Sequence, residues 1–397
     1  MLKMKSEFSS NIWKMYIVTF LRYFMLVSGV LIPFYLDWGG ITFAQTLFLQ
    51  SWFLFSVFIL EVPTGVVADK WSRKLSIALG CAVVAIASLV YGSIPNFYIF
   101  MLGEFLFAVG VSLMSGADTA LFYDTLKKMR NQKKSKKYYA RYKSFGLAGM
   151  ILAAPLGSFI GISLGLNFPM LLESIPYFLG FIIALSLKEP NVKKESESER
   201  YVKILKEGIL HFKKSKELKI LALDLVIISS LGYFLIWTYQ AMLKSAGVDI
   251  FYFGFVHSLM VAGQIIFMNN YERVEVFLGS KKRLIVLSSL LTGLLLILGG
   301  LFTAYLPIAV LVAVLGLTFS KGRNPLIENY MNKYIPSKRR ATVLSAVSML
   351  ERIVLVVLNP IVGFAVDFSL GMTLLALGLV GVAFSFVSKI EEDTLID

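Results

Sequence analysis

Long apolar runs broken by short polar stretches set the rhythm of this chain. They fall at 12–35, 41–68, 74–94, 97–126, 139–163, 168–187, 219–243, 251–271, 283–303, 305–332, 340–366 and 370–389. Each run is about 20 residues or longer, enough to cross the hydrocarbon core of a bilayer as a helix. Within hydrocarbon every backbone polar group needs an internal partner, so a spanning run reads as an α-helix. The two-residue alternation of a membrane β-barrel is absent. The pattern therefore predicts an all-α membrane protein with twelve spans. The first run follows a basic start (Lys3, Lys5, Lys14) and has no small-residue cleavage site, so it reads as a retained span.

The polar stretches are unequal. One set of connections carries Lys70, Arg73 and Lys74, then Lys127 to Lys143, Lys188 to Lys219, Arg273 to Arg283, and Lys333 to Arg340. The alternate set carries almost only Lys244. By the positive-inside rule both termini are expected to be cytoplasmic, which requires an even number of spans. The formal charge of +14 is then a topology signal before it is anything else. It predicts contact with anionic membrane lipid and no nucleic-acid partner.

Residues 189–218 interrupt the rhythm. Their second part spaces Val202, Leu205, Ile209 and Phe212 as one helical face, which predicts an amphipathic helix at the membrane surface; a plain solvated linker is the alternative. The expected organisation is a six-helix bundle over 1–188, a linker over 189–218 and a second six-helix bundle over 219–397. The halves echo each other. "GADTALFYDTL" from Gly116 matches "GRNPLIENYMN" from Gly322, "APLGSFIG" around Pro155 matches "NPIVGFAV" around Pro360, and "DKWSRK" has a faint counterpart in "FLGSKK". Three matches in order at nearly one offset read as an internal repeat.

Composition removes several functions. Hydrophobic residues make up 57% and charged residues 16%, too few charges for the surface of a soluble domain of this length. One cysteine (Cys81) excludes an internal disulfide and a cysteine-built metal site, and two histidines are too few for a histidine-built centre. No phosphate-binding loop of the G-x-x-x-x-G-K-[ST] type occurs, so ATP is not the direct energy source. No enzyme activity, metal or cofactor is expected.

The stretch "GVVADKWSRK" supplies a motif. Gly65, Asp69, Lys70, Arg73 and Lys74 resemble the G-x-x-x-D-[RK]-x-G-[RK]-[RK] loop between spans 2 and 3 of the major facilitator superfamily, with Ser72 where that pattern has glycine. Twelve spans, a central basic loop and two similar halves extend the resemblance to the whole chain. "EVPTGVVADKWSRK" and "RNPLIENYMNKYIPSKRRATVLSAVSM" resemble a prokaryotic branch of exporters without an assigned substrate. The resemblance implies two pseudo-symmetric bundles, alternating access, and a conformational latch at Gly65, Asp69, Lys70, Arg73 and Lys74. In it, Asp69 would bridge the halves by meeting the start of span 11. Phe277 stands where Asp69 would repeat, so the latch reads as one-sided.

Ionisable residues inside spans are costly and point to function. The resemblance places spans 1, 4, 7 and 10 around a central cavity. Arg22, Glu104, Asp118, Asp224 and Arg323 lie on those spans, with Asn324 beside Arg323, and are the expected substrate or ion contacts. A proton-carrying role suits Glu104, Asp118 or Asp224; for each, a structural ion pair is the alternative. Asp124 and Glu328, near the span ends, are expected to pair with loop cations, Arg73 among them. Spans 4 and 10 are interrupted at Ser115-Gly116 and at Lys321-Gly322-Arg323-Asn324-Pro325, and broken spans at matching places point to a binding site. Gly157, Gly161 and Gly165 on span 5 read as a close helix-packing face. The glycine–proline core of the family's antiporter motif and the arginine of many proton-driven drug exporters are missing, Glu104 lying in the corresponding span-4 stretch.

The expected function is secondary transport of a small amphiphilic solute across the cell membrane by a monomer, with efflux as the direction and a proton as the coupling ion. A lipid transporter or scramblase, and a non-transporting receptor on the same scaffold, remain as alternatives.

Overall fold

A computed structural model describes residues 2–190, 215–336 and 340–396; the side chains of residues 2–7, 62, 66, 68–70, 341 and 342 are also outside the description. The expected surface helix of the linker, and the side chains of Asp69 and Lys70, lie outside the described residues. The helices are α1 (Leu2–Arg22), α2 (Phe43–Lys70), α3 (Arg73–Tyr91), α4 (Phe97–Met114), α5 (Ala117–Lys128), α6 (Ser135–Leu164), α7 (Phe168–Leu172), α8 (Ser174–Leu185), α9 (Lys216–Ser245), α10 (Phe253–Asn269), α11 (Tyr271–Leu278), α12 (Lys281–Leu301), α13 (Leu306–Lys321), α14 (Asn324–Lys333), α15 (Arg340–Phe368) and α16 (Leu370–Val387). Among the described residues, eleven helical segments are long and apolar enough to cross a membrane. The expected span 1 is not one of them: its helix, Leu2–Arg22, is long enough but too polar, with Lys14 and Arg22 in it, and the more apolar part of the run lies beyond the helix end. The chain then continues as a tight turn Leu26–Gly29, a short helical piece Leu31–Pro33 and a wide turn Phe34–Trp38.

The chain forms two compact units: Met1–Ile41 with Leu49–Tyr201, and Thr42–Phe48 with Val202–Asp397. In the first, α1, α3, α5, α6 and α8 share a core that includes Tyr16, Cys81, Phe122, Tyr142 and Ala184. Glycines set the closest approaches. A Cβ at Gly157 would overlap the Leu26 carbonyl, and one at Gly161 would press on Val30. The expected span-5 glycine face thus packs the broken part of span 1. Gly165 has a different task, ending α6 at φ +126°, where a side chain would be strained. The break in span 1 is itself satisfied. Pro33 has no N–H for the Gly29 carbonyl four residues back, and the Ser158 hydroxyl donates to it instead at 2.9 Å.

In the second unit α9 runs through the middle. Leu218, Leu221 and Leu225 pack with Ile327 and Tyr330 at one end; Ile228, Leu235 and Leu243 pack with Phe253, Leu296 and Val312 at the other. The first turn of α2 belongs here: Phe43 and Ala44 donate their backbone N–H groups to Asp367 at 2.9 and 2.8 Å, and Gly363 lies against Ala44. Large apolar side chains such as Phe364, Phe368 and Phe386 point outward, as a lipid-facing surface requires.

The repeat is visible in the helix caps. Ser72 opens α3 and Ser280 opens α12, each accepting the N–H three residues on, at 3.0 and 3.2 Å. A carboxylate completes each cap: Glu189 accepts from Arg73 and Lys74, and Glu392 from Lys281 and Lys282. Ser72 has φ −164°, so the residue replacing the motif's glycine needs no positive φ and serves as an N-cap.

Candidate functional site

Span 4 breaks at Gly116, which takes φ +73°. The break ends α4 and starts α5, placing Asp118 in the first turn of α5, where the helix dipole favours a carboxylate. Arg22 is the last residue of α1, where the dipole favours a cation. The two meet, Arg22 Nη1 to Asp118 Oδ2 at 2.7 Å. Tyr142 donates to the same oxygen at 3.0 Å, while the Thr119 N–H and hydroxyl donate to Oδ1. The pair is not sealed: the side chains are 13% and 18% exposed. Each partner therefore keeps an exposed edge.

Glu104 belongs elsewhere. It precedes Asp118 by about four turns, roughly 20 Å along the span. Its Oε1 accepts from Gln50 at 2.6 Å, Tyr91 at 3.0 Å and Tyr35 at 3.3 Å. All three donors are neutral. Phe34, Trp38 and Phe100 pack around the tyrosines, Phe100 stacked on Tyr91 at 5.2 Å.

In the second unit the break between α13 and α14 carries two of the singled-out residues, Arg323 and Asn324, in different settings. Arg323 sits at the N-terminus of α14, where the dipole opposes a cation, and it is fully buried. An ion pair with Asp224 of α9, only 1% exposed, neutralises it. Its Nη1 also donates to the Ile285 carbonyl at 3.0 Å and to the hydroxyls of Ser288 and Ser289. A buried pair so enclosed is a structural clamp between α9, α12 and α14. Asn324, next along, faces the Ser229 hydroxyl at 3.1 Å, and its carbonyl oxygen is buried without a hydrogen-bond partner.

Ser229 joins Asn324 to a second ion pair. Lys321 and Glu351 lie 3.2 Å apart, 21% and 20% exposed, and both contact the Ser229 hydroxyl. Among the described residues each unit thus holds a partly open ion pair at the break of a span, Arg22–Asp118 and Lys321–Glu351. Near the span ends Arg73 pairs with Asp124, as the loop chemistry predicted.

The sequence of residues 13–357 matches the family model described as Major Facilitator Superfamily. The chain belongs to the major facilitator superfamily. It is 23% identical over 300 residues to the uncharacterized MFS-type transporter YxaM of Bacillus subtilis (strain 168), which spans 72% of each chain. A variant of the nucleoside transporter NupG superposes with a TM-score of 0.79 at 15% identity, covering 95% of this chain and 98% of that one. A bacterial homolog of the human lysosomal transporter Spinster, inward-facing and occupied, gives 0.76 at 14% identity and 98% coverage of both. At such identities these structures share the fold. This member of the superfamily is a multi-pass secondary transporter, not an enzyme.

Of the six residues expected to contact a substrate or ion, the structure brings together Arg22 with Asp118, and Asp224 with Arg323. Glu104 and Asn324 stand apart, each with other partners. Lys321, Glu351 and Tyr142 join the candidate groups. Lys321 and Glu351 were legible as charges within spans, Lys321 directly at the break. Tyr142 and Ser229 carry no signal in a single sequence, since a tyrosine or serine on a span is ordinary.

Proposed function

We propose that this transporter moves a small amphiphilic solute bearing charged groups out of the cell, by alternating access and as a monomer. The reading places it in the cytoplasmic membrane with both termini inside, supported by the Lys/Arg asymmetry of the connections. One observation carries the substrate class: each unit holds a partly exposed ion pair beside a broken span. Such pairs can exchange partners with a solute. An anionic group takes Arg22 or Lys321; a cationic group takes Asp118 or Glu351; the free carbonyl of Asn324 accepts a donor. Export is supported by the resemblance of the loop after α2 to the exporter branch. Coupling to protons is supported by Glu104, a buried carboxyl whose partners are all neutral. The conformational latch at Gly65, Asp69, Lys70, Arg73 and Lys74 belongs to the same proposal.

A thermal-shift screen of charged amphiphiles on purified protein tests the site, since a ligand selective for the folded state raises the melting temperature. A true hit loses its shift in Arg22→Gln and in Asp118→Asn. A shift that survives both removes the site. Proteoliposomes loaded with that hit should then show gradient-dependent flux; absence of flux removes the export reading.

A further inference from the structure

Unit one contains a buried carboxyl that neither ion pair uses. Glu173 lies between α7 and α8, at a break in span 6, and is 0% exposed. Pro176, in the first turn of α8, has no N–H for the Leu172 carbonyl, which favours a break there. The break in span 6 faces the break in span 1. Glu173 Oε2 accepts the Val27 N–H at 3.3 Å, within the tight turn Leu26–Gly29. One turn on, the Tyr177 hydroxyl donates to the Arg22 carbonyl at 2.8 Å, at the end of α1. Glu173 Oε1 is buried with no hydrogen-bond partner.

That arrangement is unfavourable for an ionised carboxylate. A buried charge needs a counter-charge or a full set of donors. Glu173 has one backbone N–H. The titratable group beside it is Tyr177, one turn on, which in turn has Arg22 and Tyr23 of span 1 and Cys81 of α3 as neighbours. The one cation among them, Arg22, is directed to Asp118. From α6 the facing residues are Gly157, Ser158 and Gly161, and none titrates. A proton on Oε1 removes the charge while Oε2 keeps its bond to Val27.

We propose that Glu173 is a proton-binding site of the transport cycle, holding its proton while the breaks of spans 1 and 6 are locked together and releasing it when they part. On release the proton passes to water admitted at the parted break, leaving a hydrated carboxylate. Rebinding the proton allows the turn Leu26–Gly29 to seat again on Glu173. The Arg22–Asp118 pair then stays available to the solute, and Glu173, one turn of span 1 away, holds a proton of the cycle in addition to any carried by Glu104. This inference rests on the transporter reading, and its test does not require a transported solute.

Infrared titration of the purified full chain reads the site directly. The neutral-pH spectrum should contain a carboxylic C=O component that Glu173→Gln removes and alkaline pH converts to carboxylate. Thiol labelling at Ser28→Cys, in a Cys81→Ser background and divided at each pH by the rate of a free thiol to remove the cysteine's own ionisation, should accelerate as pH rises. Adding Glu173→Gln should make that ratio low and independent of pH. If Glu173→Gln does not fold, Glu173→Asp keeps the acid with a shorter reach and should shift both titrations. If no carboxylic component is lost in Glu173→Gln or shifted in Glu173→Asp, or if the labelling ratio to a free thiol stays pH-dependent in Glu173→Gln, the assignment is overturned. Proteoliposomes that show no flux, with both titrations intact, count against the transporter reading alone.

Discussion

Two arginines show how far a residue's setting decides its role. Arg22 and Arg323 were equivalent in the sequence, each an arginine on a span expected to line a cavity. In the structure Arg22 keeps an open edge and Arg323 has none. Removing one partner of a fully buried pair leaves an uncompensated charge, typically costing about 3–5 kcal/mol. Arg323→Gln should therefore lower the melting temperature strongly, and the double variant Asp224→Asn/Arg323→Gln should recover much of the loss. Arg22→Gln should cost far less, because water reaches Asp118. Thermal unfolding in detergent measures all three. Equal effects of Arg323→Gln and Arg22→Gln would contradict the distinction between clamp and binding pair. The sequence could show that these residues are charged and within spans. It could not show which face of the helix they take, since a bundle helix is apolar nearly all round and its periodicity is weak.

At the scale of elements, span positions and the breaks in spans 4 and 10 were legible, because glycine, proline and charge inside an apolar run leave few readings. The breaks in spans 1 and 6 were not. Each depends on a distant group that satisfies the freed backbone: Ser158 for Gly29, Glu173 for Val27. The carboxylate caps also escaped notice, since Glu189 and Glu392 lie more than a hundred residues from the helices they cap. Glu392 lies beyond the last span, and its cap makes it pH-sensitive. Partial burial alone would raise its pKa, but donation by Ser280 and the Lys282 and Lys281 N–H groups, with the Lys281 charge, brings it below the usual value. A depressed carboxyl pKa stabilises the fold above the unfolded-state value, near 4.5, and that contribution is lost as pH falls through the folded-state value. Stability should thus decline on acidification below that value, and more shallowly in Glu392→Gln, which has no carboxylate to protonate. Thermal unfolding of the two chains from neutral pH downward checks this; parallel curves would show that the cap carries no pH-dependent stability.

For the whole molecule, the repeat and the charge asymmetry make a joint claim about orientation. The capped starts of α3 and α12 carry Arg73 with Lys74, and Lys281 with Lys282 with Arg283, at corresponding points of the two units. A parallel repeat returns the chain to the same side of the membrane after each six spans, so corresponding loops share a side. By its lysines the basic loop around Gln132 is expected on that side, and the turn after α9 at Ser245 on the other. Cationic loops resist translocation, so the proposed orientation has the first side cytoplasmic. In a Cys81→Ser background, a membrane-impermeant thiol reagent applied to intact cells should label the Ser245→Cys chain and spare the Gln132→Cys chain. Opening the cells should expose the second. Labelling of Gln132→Cys in intact cells would invert the protein and with it the proposed direction of export. Labelling of both would break the span count between them, since residues 132 and 245 are separated by α6, by the segments α7 and α8, and by α9, an odd number of crossings.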